Sequence, residues 1–280
     1  MRGDEHPLSR ILRTELLPHE FCPGCGIGNV FHYAAKAVDE LNLDLDKVVF
    51  LTGIGCSCRG VAYVRFDSAI TLHGRTLPFA TGVKLANPEL NVVALMGDGD
   101  CAGIGGNHLI HAARRNLDVT AIVLNNEVYG STGGQLAPTT RHGAYSPTSP
   151  YGNVEYPFDL CRLAEAAGAI YVARWTTVHM RSVIESIKRG IQKGGFAFIE
   201  IYSQCPTHFG RRILKVDSPA DILEYYRRVS VRKEKAEKMS EEELEGKIIV
   251  GEFVDRERPP LTQRHEELRR AASSAKPQQQ

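Results

Sequence analysis

The chain has 280 residues, enough for one large domain or for one domain with an extension. Its 34 basic and 33 acidic residues leave a net charge of +1, which points neither to nucleic acid nor to an anionic membrane surface. No apolar run reaches membrane-spanning length, and the first residues, MRGDEHPLSRILRTELL, carry acids and lack a signal-like core. A cytoplasmic protein is expected.

Strand-like and helix-like segments alternate along the chain. KVVFLTGI (47–54), NVVALMG (91–97), VTAIVLNN (119–126), AIYVARW (169–175) and FAFIEIYS (196–203) are short apolar runs without polar alternation. That pattern predicts parallel strands covered on both faces. Helical patterns fall between them, over roughly 27–41, 80–87, 104–115, 159–168 and 177–193. The expected fold class is therefore α/β, a doubly wound, mostly parallel sheet with helices on both faces. Ligands in such sheets bind beyond the C-terminal strand ends. The segments GIGC, GDGD and NNEVYG all stand at such ends and should converge.

Residues 129–157 lack periodicity and are rich in Gly, Thr, Ser and Pro, which suggests a loop over the site. Composition shifts after about residue 216. Residues 1–215 are expected to form the α/β domain. Residues 216–280 are expected to form a charged C-terminal extension, with a helix over RRVSVRKEKAEKMSEEELEGK, irregular chain beyond it and a disordered end at SSAKPQQQ. The embedded IIVGEF is free to pack on a partner.

The most informative feature is a pair of strand-end motifs. Gly97-Asp98-Gly99-Asp100 follows one strand, and Asn125-Asn126 follows the next. A carboxylate and a carboxamide oxygen thus reach the same end of two neighbouring strands. Hard oxygen ligands suit Mg²⁺, which favours one or two side chains plus phosphate oxygens. The glycines allow close backbone approach to a diphosphate, and a helix N-terminus adds N–H donors.

Seven cysteines in a chain without secretory features argue against a disulfide framework. Cys22 and Cys25 form a C-x₂-C pair that leads into a helix. Cys56 and Cys205 stand at strand ends. Four thiolates there suit either a [4Fe–4S] cluster or a structural Zn²⁺, and a lone C-x₂-C pair also suits a redox dithiol. Cys58 is a geometric alternative to Cys56. Cys161 reads as core and Cys101 as packing.

The spacing of GDG and NN resembles the thiamine diphosphate (ThDP) motif. With CPGCGIGN (22–29), TGIGCS (52–57), HGRTLPFATGVKLANPEL (73–90), YSQCPT (202–207) and GEFVDRERP (251–259), the chain resembles the ThDP-binding β subunit of 2-oxoacid:ferredoxin oxidoreductases, and most of all the 2-oxoglutarate type. The resemblance implies that Cys22, Cys25, Cys56 and Cys205 hold one [4Fe–4S] cluster, and that Asp98, Asn126 and the Val128 carbonyl hold Mg²⁺. It places Ile54, Gly55, Cys56, Ser57, His73, Gly97, Gly99, Asp100, Gly130, Ser131 and Thr132 around ThDP. His73 and Arg59 are the candidate catalytic residues, the first for proton transfer and the second for pairing with a substrate carboxylate. Arg75 has the same standing as Arg59.

The implied reaction is oxidative decarboxylation of a 2-oxo acid with coenzyme A (CoA) to an acyl-CoA, with ferredoxin taking the electrons. ThDP also needs a carboxylate against its aminopyrimidine ring. No glutamate of these motifs is an obvious candidate, and Glu127 lies at the metal end. The resemblance implies that a partner α subunit supplies the carboxylate, so this chain is expected to be inactive alone. Two other readings remain: pyruvate or a broad range of 2-oxo acids as substrate, and a non-redox ThDP decarboxylase or carboligase component. A zinc-stabilised interaction module is a third.

Overall fold

A computed structural model describes residues 6–274. Ten strands and nine α-helices are resolved there. The strands are β1 (Val48–Thr52), β2 (Asp67–Ile70), β3 (Asn91–Gly97), β4 (Thr120–Asn125), β5 (Val128–Tyr129), β6 (Gln135–Leu136), β7 (Tyr171–Thr176), β8 (Ala197–Tyr202), β9 (Ser230–Arg232) and β10 (Ile248–Asp255). The helices are α1 (Gly26–Glu40), α2 (Thr76–Ala86), α3 (Gly106–Arg115), α4 (Leu160–Ala167), α5 (Met180–Gln192), α6 (Pro219–Val229), α7 (Lys233–Ala236), α8 (Glu241–Leu244) and α9 (Leu261–Ser274).

Eight strands form one sheet in the order β2-β1-β3-β4-β8-β7-β10-β9. Pairing from β2 through β7 is parallel throughout. The sheet is buried on both faces because successive residues of each strand serve opposite cores. In β4, Ile122 and Leu124 join the cluster packed with α1 and α5, while Ala121 and Val123 join the cluster under α2, α3 and α4. Strand β3 divides in the same way, with Val93 and Leu95 on one side and Val92, Ala94 and Met96 on the other. The doubly wound architecture expected from the apolar runs is present.

Local signals set the helix ends. Asp159 caps α4 by accepting the Arg162 N–H, and Gly168 closes it at φ +105°. Ser218 caps α6, with Pro219 in the first turn.

Beyond residue 216 the structure differs from the expectation. The charged stretch over 227–247 is not one helix. Helix α6 stops at Val229, residues 230–232 form β9, and two single-turn helices follow. IIVGEF does not wait for a partner: Ile248–Asp255 form β10, antiparallel to β7 and parallel to β9. Ile248, Val250 and Val254 are buried at near-alternate positions, which gives a surface strand a core face. Ser273 and Ser274 close α9, and the rest of SSAKPQQQ lies outside the described residues. Among the described residues no helix is long and apolar enough to cross a membrane.

Candidate functional site

The C-terminal ends of β1, β3, β4 and β8 are adjacent in the sheet, and the predicted motifs meet there. Gly53–Ser57 leave β1, Gly97–Asp100 end β3, Asn126–Thr132 follow β4 and Cys205 follows β8. Parallel strands packed side by side deliver their exits to one edge, which explains the convergence.

These segments line a cavity of about 260 Å³. Ile54, Gly55, Cys56, Ser57, His73, Gly97, Asp98, Gly99, Asp100, Asn126, Val128, Gly130, Ser131 and Thr132 all face it. Sequence reasoning did not single out three further lining residues, Ile27, Leu124 and Tyr129. Tyr129 stood inside the quoted NNEVYG motif, and its ring packs across Gly99, where an added Cβ would come within 2.1 Å of it. Its hydroxyl donates to the Gly99 carbonyl at 3.3 Å. Among the described residues His73 is the one histidine of the lining, and Arg59 and Arg75 do not face the cavity. Arg59 sits half exposed and pairs with Glu20 at 2.5 Å.

The lining fits a bound diphosphate cofactor and cation. Added Cβ atoms at Gly55 and Gly97 would meet no protein atom within 4 Å, so both glycines leave room in the cradle. Ser57 Oγ and Asp100 Oδ2 are buried with no hydrogen-bond partner among the described residues. Asp98 is 2 % exposed, and burial pushes its carboxyl up to about 7, against the pull of the Thr139 hydroxyl and the Gly99 N–H. A carboxylate so starved of water suits a cation partner.

Asn125 and Asn126 build two successive turns. Asn125 Oδ1 accepts the Glu127 N–H at 3.0 Å, and Asn126 Oδ1 accepts the Val128 N–H at 3.2 Å. Each carboxamide oxygen has a second lone pair, so Asn126 keeps acceptor capacity. Glu127 stands at φ +59° between them, is 3 % exposed, and is gripped at both oxygens by Arg141.

His73 places Nδ1 2.9 Å from Asp100 Oδ1 and 3.2 Å from the Ile54 carbonyl. Asp100 Oδ1 also accepts the Gly74 N–H at 2.6 Å. With Nδ1 engaged on the wall side, Nε2 remains for the cavity.

Cys22 and Cys25 share the turn before α1, Cys56 follows β1 and Cys205 follows β8, and the four meet beside this cavity, close enough to act on one another's charge. Burial pushes the Cys25 thiol up to about 12 and the Cys56 thiol up to about 11, and the neighbouring sulfurs add to both shifts. Burial also raises Cys205, while the backbone N–H groups of Phe209, His208 and Thr207 hold it down. An added Cβ at Gly130 would lie 3.4 Å from Cys56 Sγ and 3.9 Å from Cys205 Sγ. Cys56 and Gly130 therefore belong to both the sulfur group and the cavity wall. No three Cys, His, Asp or Glu side chains among the described residues close around a single metal ion. A tetrahedral Zn²⁺ would draw its sulfurs to about 3.8 Å of one another, given bonds of about 2.3 Å. A four-iron cube spaces its thiolates more widely, and four thiols gathered here suit either group. Cys101 and Cys161 are buried core thiols, as expected.

Comparison with known proteins agrees with this geometry. The model for "Thiamine pyrophosphate enzyme, C-terminal TPP binding domain" matches residues 53–201. The 2-oxoglutarate synthase subunit KorB of Methanocaldococcus jannaschii is 52 % identical over 258 residues, covering 92 % of this chain and 95 % of that one. The chain belongs to the β-subunit family of 2-oxoacid:ferredoxin oxidoreductases. KorB of Archaeoglobus fulgidus is 54 % identical over 214 residues, 76 % of this chain and 78 % of that relative. A solved 2-oxoglutarate:ferredoxin oxidoreductase from Magnetococcus marinus, with 2-oxoglutarate, coenzyme A and succinyl-CoA bound, superposes with a TM-score of 0.85 at 31 % identity. That match covers 98 % of this chain and 93 % of that one.

Proposed function

We propose that this chain is the β subunit of a 2-oxoglutarate:ferredoxin oxidoreductase, which converts 2-oxoglutarate and CoA to succinyl-CoA and CO₂. One observation carries the reading: the four-cysteine group and the ThDP-type cavity share a wall at Cys56 and Gly130. Electrons released in the cavity then have a short way to an acceptor. The relatives' own names supply the choice of 2-oxoglutarate.

In this reading Asp98, Asn126 and the Val128 carbonyl hold Mg²⁺, which anchors the cofactor's diphosphate. Cys22, Cys25, Cys56 and Cys205 hold one [4Fe–4S] cluster, with ferredoxin beyond it. Bound ThDP supplies the nucleophile and electron sink that decarboxylation needs. The chain's own residues do the positioning. Asp100 holds His73 by Nδ1, so Nε2 can take or give a proton at the substrate side. Gly55 and Gly97 admit the cofactor, and Tyr129 closes the wall behind Gly99. A cytoplasmic setting keeps the seven free thiols reduced.

The cavity is incomplete by itself. Among the described residues its lining holds two carboxylates, Asp98 and Asp100, and no glutamate. Glu127 is taken by Arg141 and does not face it. Around His73 lie Ile54 at 47 %, Leu72 at 78 % and Ile104 at 55 % exposure, an apolar rim that calls for a cover. An α subunit seated there supplies the missing carboxylate.

The test is anaerobic purification of the complex and of this chain alone. We expect about four irons per β chain, a reducible cluster signal, and viologen reduction with 2-oxoglutarate and CoA that exceeds reduction with pyruvate. The chain alone should bind iron yet reduce no dye. Zinc in place of iron after reconstitution, or no turnover of any 2-oxo acid by the complex, would overturn the proposal.

A pH dependence follows from Asp98. Its folded carboxyl titrates near 7 in the cation-free chain, above the ordinary 3.8. The folded state therefore binds a proton more tightly than the unfolded one. That stabilisation is full below about 3.8 and is lost as pH rises through about 7. Mg²⁺ must displace the proton, so below pH 7 its affinity should fall about tenfold per pH unit, as titrations at pH 6, 7 and 8 would show. A flat profile would mean that Asp98 is not a ligand.

A further inference from the structure

Residues 137–141, Ala-Pro-Thr-Thr-Arg, follow β6 and line no part of the cavity, yet they touch both halves of the cation site from behind. Thr139 is 4 % exposed and donates its hydroxyl to Asp98 Oδ2. Thr140 Oγ1 donates to the Glu127 carbonyl at 2.5 Å and accepts the Ala137 N–H at 2.8 Å. Arg141 forks onto Glu127, with Nε to Oε2 at 2.8 Å and Nη2 to Oε1 at 2.6 Å. Asn153 Nδ2 secures the segment by donating to the Thr140 carbonyl at 2.9 Å.

The consequence lies in how a buried carboxylate is oriented. A carboxylate that accepts a fixed donor on one oxygen cannot turn freely about its last bond. Metal-ligating carboxylates depend on such partners for geometry and for affinity. Thr139 is the side chain outside the cavity lining that donates to Asp98, and it arrives on the same short segment that fixes the Asn125-Asn126-Glu127 turn. One segment thus sets the relation between the two halves of the site.

We propose that Thr139 is a positioning residue for the divalent cation: it acts through Asp98 and touches neither cofactor nor substrate. This rests on the assignment of Asp98 and Asn126 as cation ligands.

The experiment uses the purified complex with its α partner. Mg²⁺ is titrated at saturating ThDP and followed calorimetrically, and melting of the cation-free protein is recorded in parallel. Thr139→Val keeps the shape and removes the donor, and it should weaken Mg²⁺ about tenfold or more. Thr139→Ser restores the donor and should return the affinity to within about twofold of the parent. A purely packing role would lower the cation-free melting temperature and leave the Mg²⁺ affinity unchanged, and that result overturns the proposal. Should Thr139→Val fail to accumulate, Thr139→Ala makes the same comparison. A parent complex that binds ThDP without any divalent cation removes the cation site itself, and the proposal with it.

Discussion

Asp98→Asn is expected to lower turnover of the assembled complex by about 10³-fold or more while the fold persists. The substitution keeps side-chain volume and the capacity to accept from Thr139, and it removes the charge that holds a hard cation. A bound cation that neutralises phosphate charge is worth several kcal/mol, and about 4 kcal/mol corresponds to about 10³-fold. The loss should appear first as failure to retain ThDP, measured by equilibrium dialysis against Mg²⁺. The cation-free variant should be no less stable than the parent at pH 8, because the parent must carry a buried charge that asparagine lacks. Parent-like ThDP retention by Asp98→Asn would place the diphosphate anchor elsewhere.

Arg174→Met should destabilise the chain by about 3–5 kcal/mol, by the general cost of removing one partner from a buried ion pair. Arg174 lies in β7, almost buried, with Nε 2.6 Å from Glu200 Oε2 and Nη2 2.5 Å from Asp159 Oδ1. Glu200 is 1 % exposed and also accepts from Asn125 Nδ2 at 2.8 Å and from the Cys161 thiol at 3.5 Å. Without the guanidinium, a carboxylate in the middle of the sheet loses its counter-charge. Methionine fills similar volume, so the effect is electrostatic more than a cavity. Urea denaturation would measure it. Arg174→Met combined with Glu200→Gln should recover much of the loss, since the carboxylate left behind, Asp159, is partly exposed to water. A single-variant effect below about 1 kcal/mol would mean that the pair is dispensable.

The two variants act at two ends of one chain of contacts. Glu200 fixes the Asn125 carboxamide, which in turn accepts the Glu127 N–H beside Asn126. Loss of Arg174 should therefore loosen the cation site as well as the sheet.

What sequence could show depended on how local the signal was. The five apolar runs became β1, β3, β4, β7 and β8, because a strand covered on both faces must be apolar along its whole length. The strand-end motifs converged for a topological reason that alternation of elements already implies. Strand β2 escaped notice because Asp67–Ile70 lies at a sheet edge and is largely exposed. Strand β10 escaped because Gly251, Glu252 and Asp255 interrupt its apolar pattern, and its partner lies far away in sequence. Arg59 shows the converse: a plausible residue next to GIGCS turned to the surface and Glu20. Thr139, Arg141 and Glu200 had no motif to announce them, since each acts through a contact made only in the folded chain.

The place of β10 also orders events during synthesis. Strand β7 leaves the ribosome with one edge matched to β8 and the other open, and that edge stays unpaired until residues 248–255 follow. An open edge of apolar, parallel-sheet sequence is a template for strands of other chains. A nascent β subunit is thus most exposed to misassembly just before its last strand arrives, and a stop codon ahead of residue 248 should yield aggregates rather than a smaller domain.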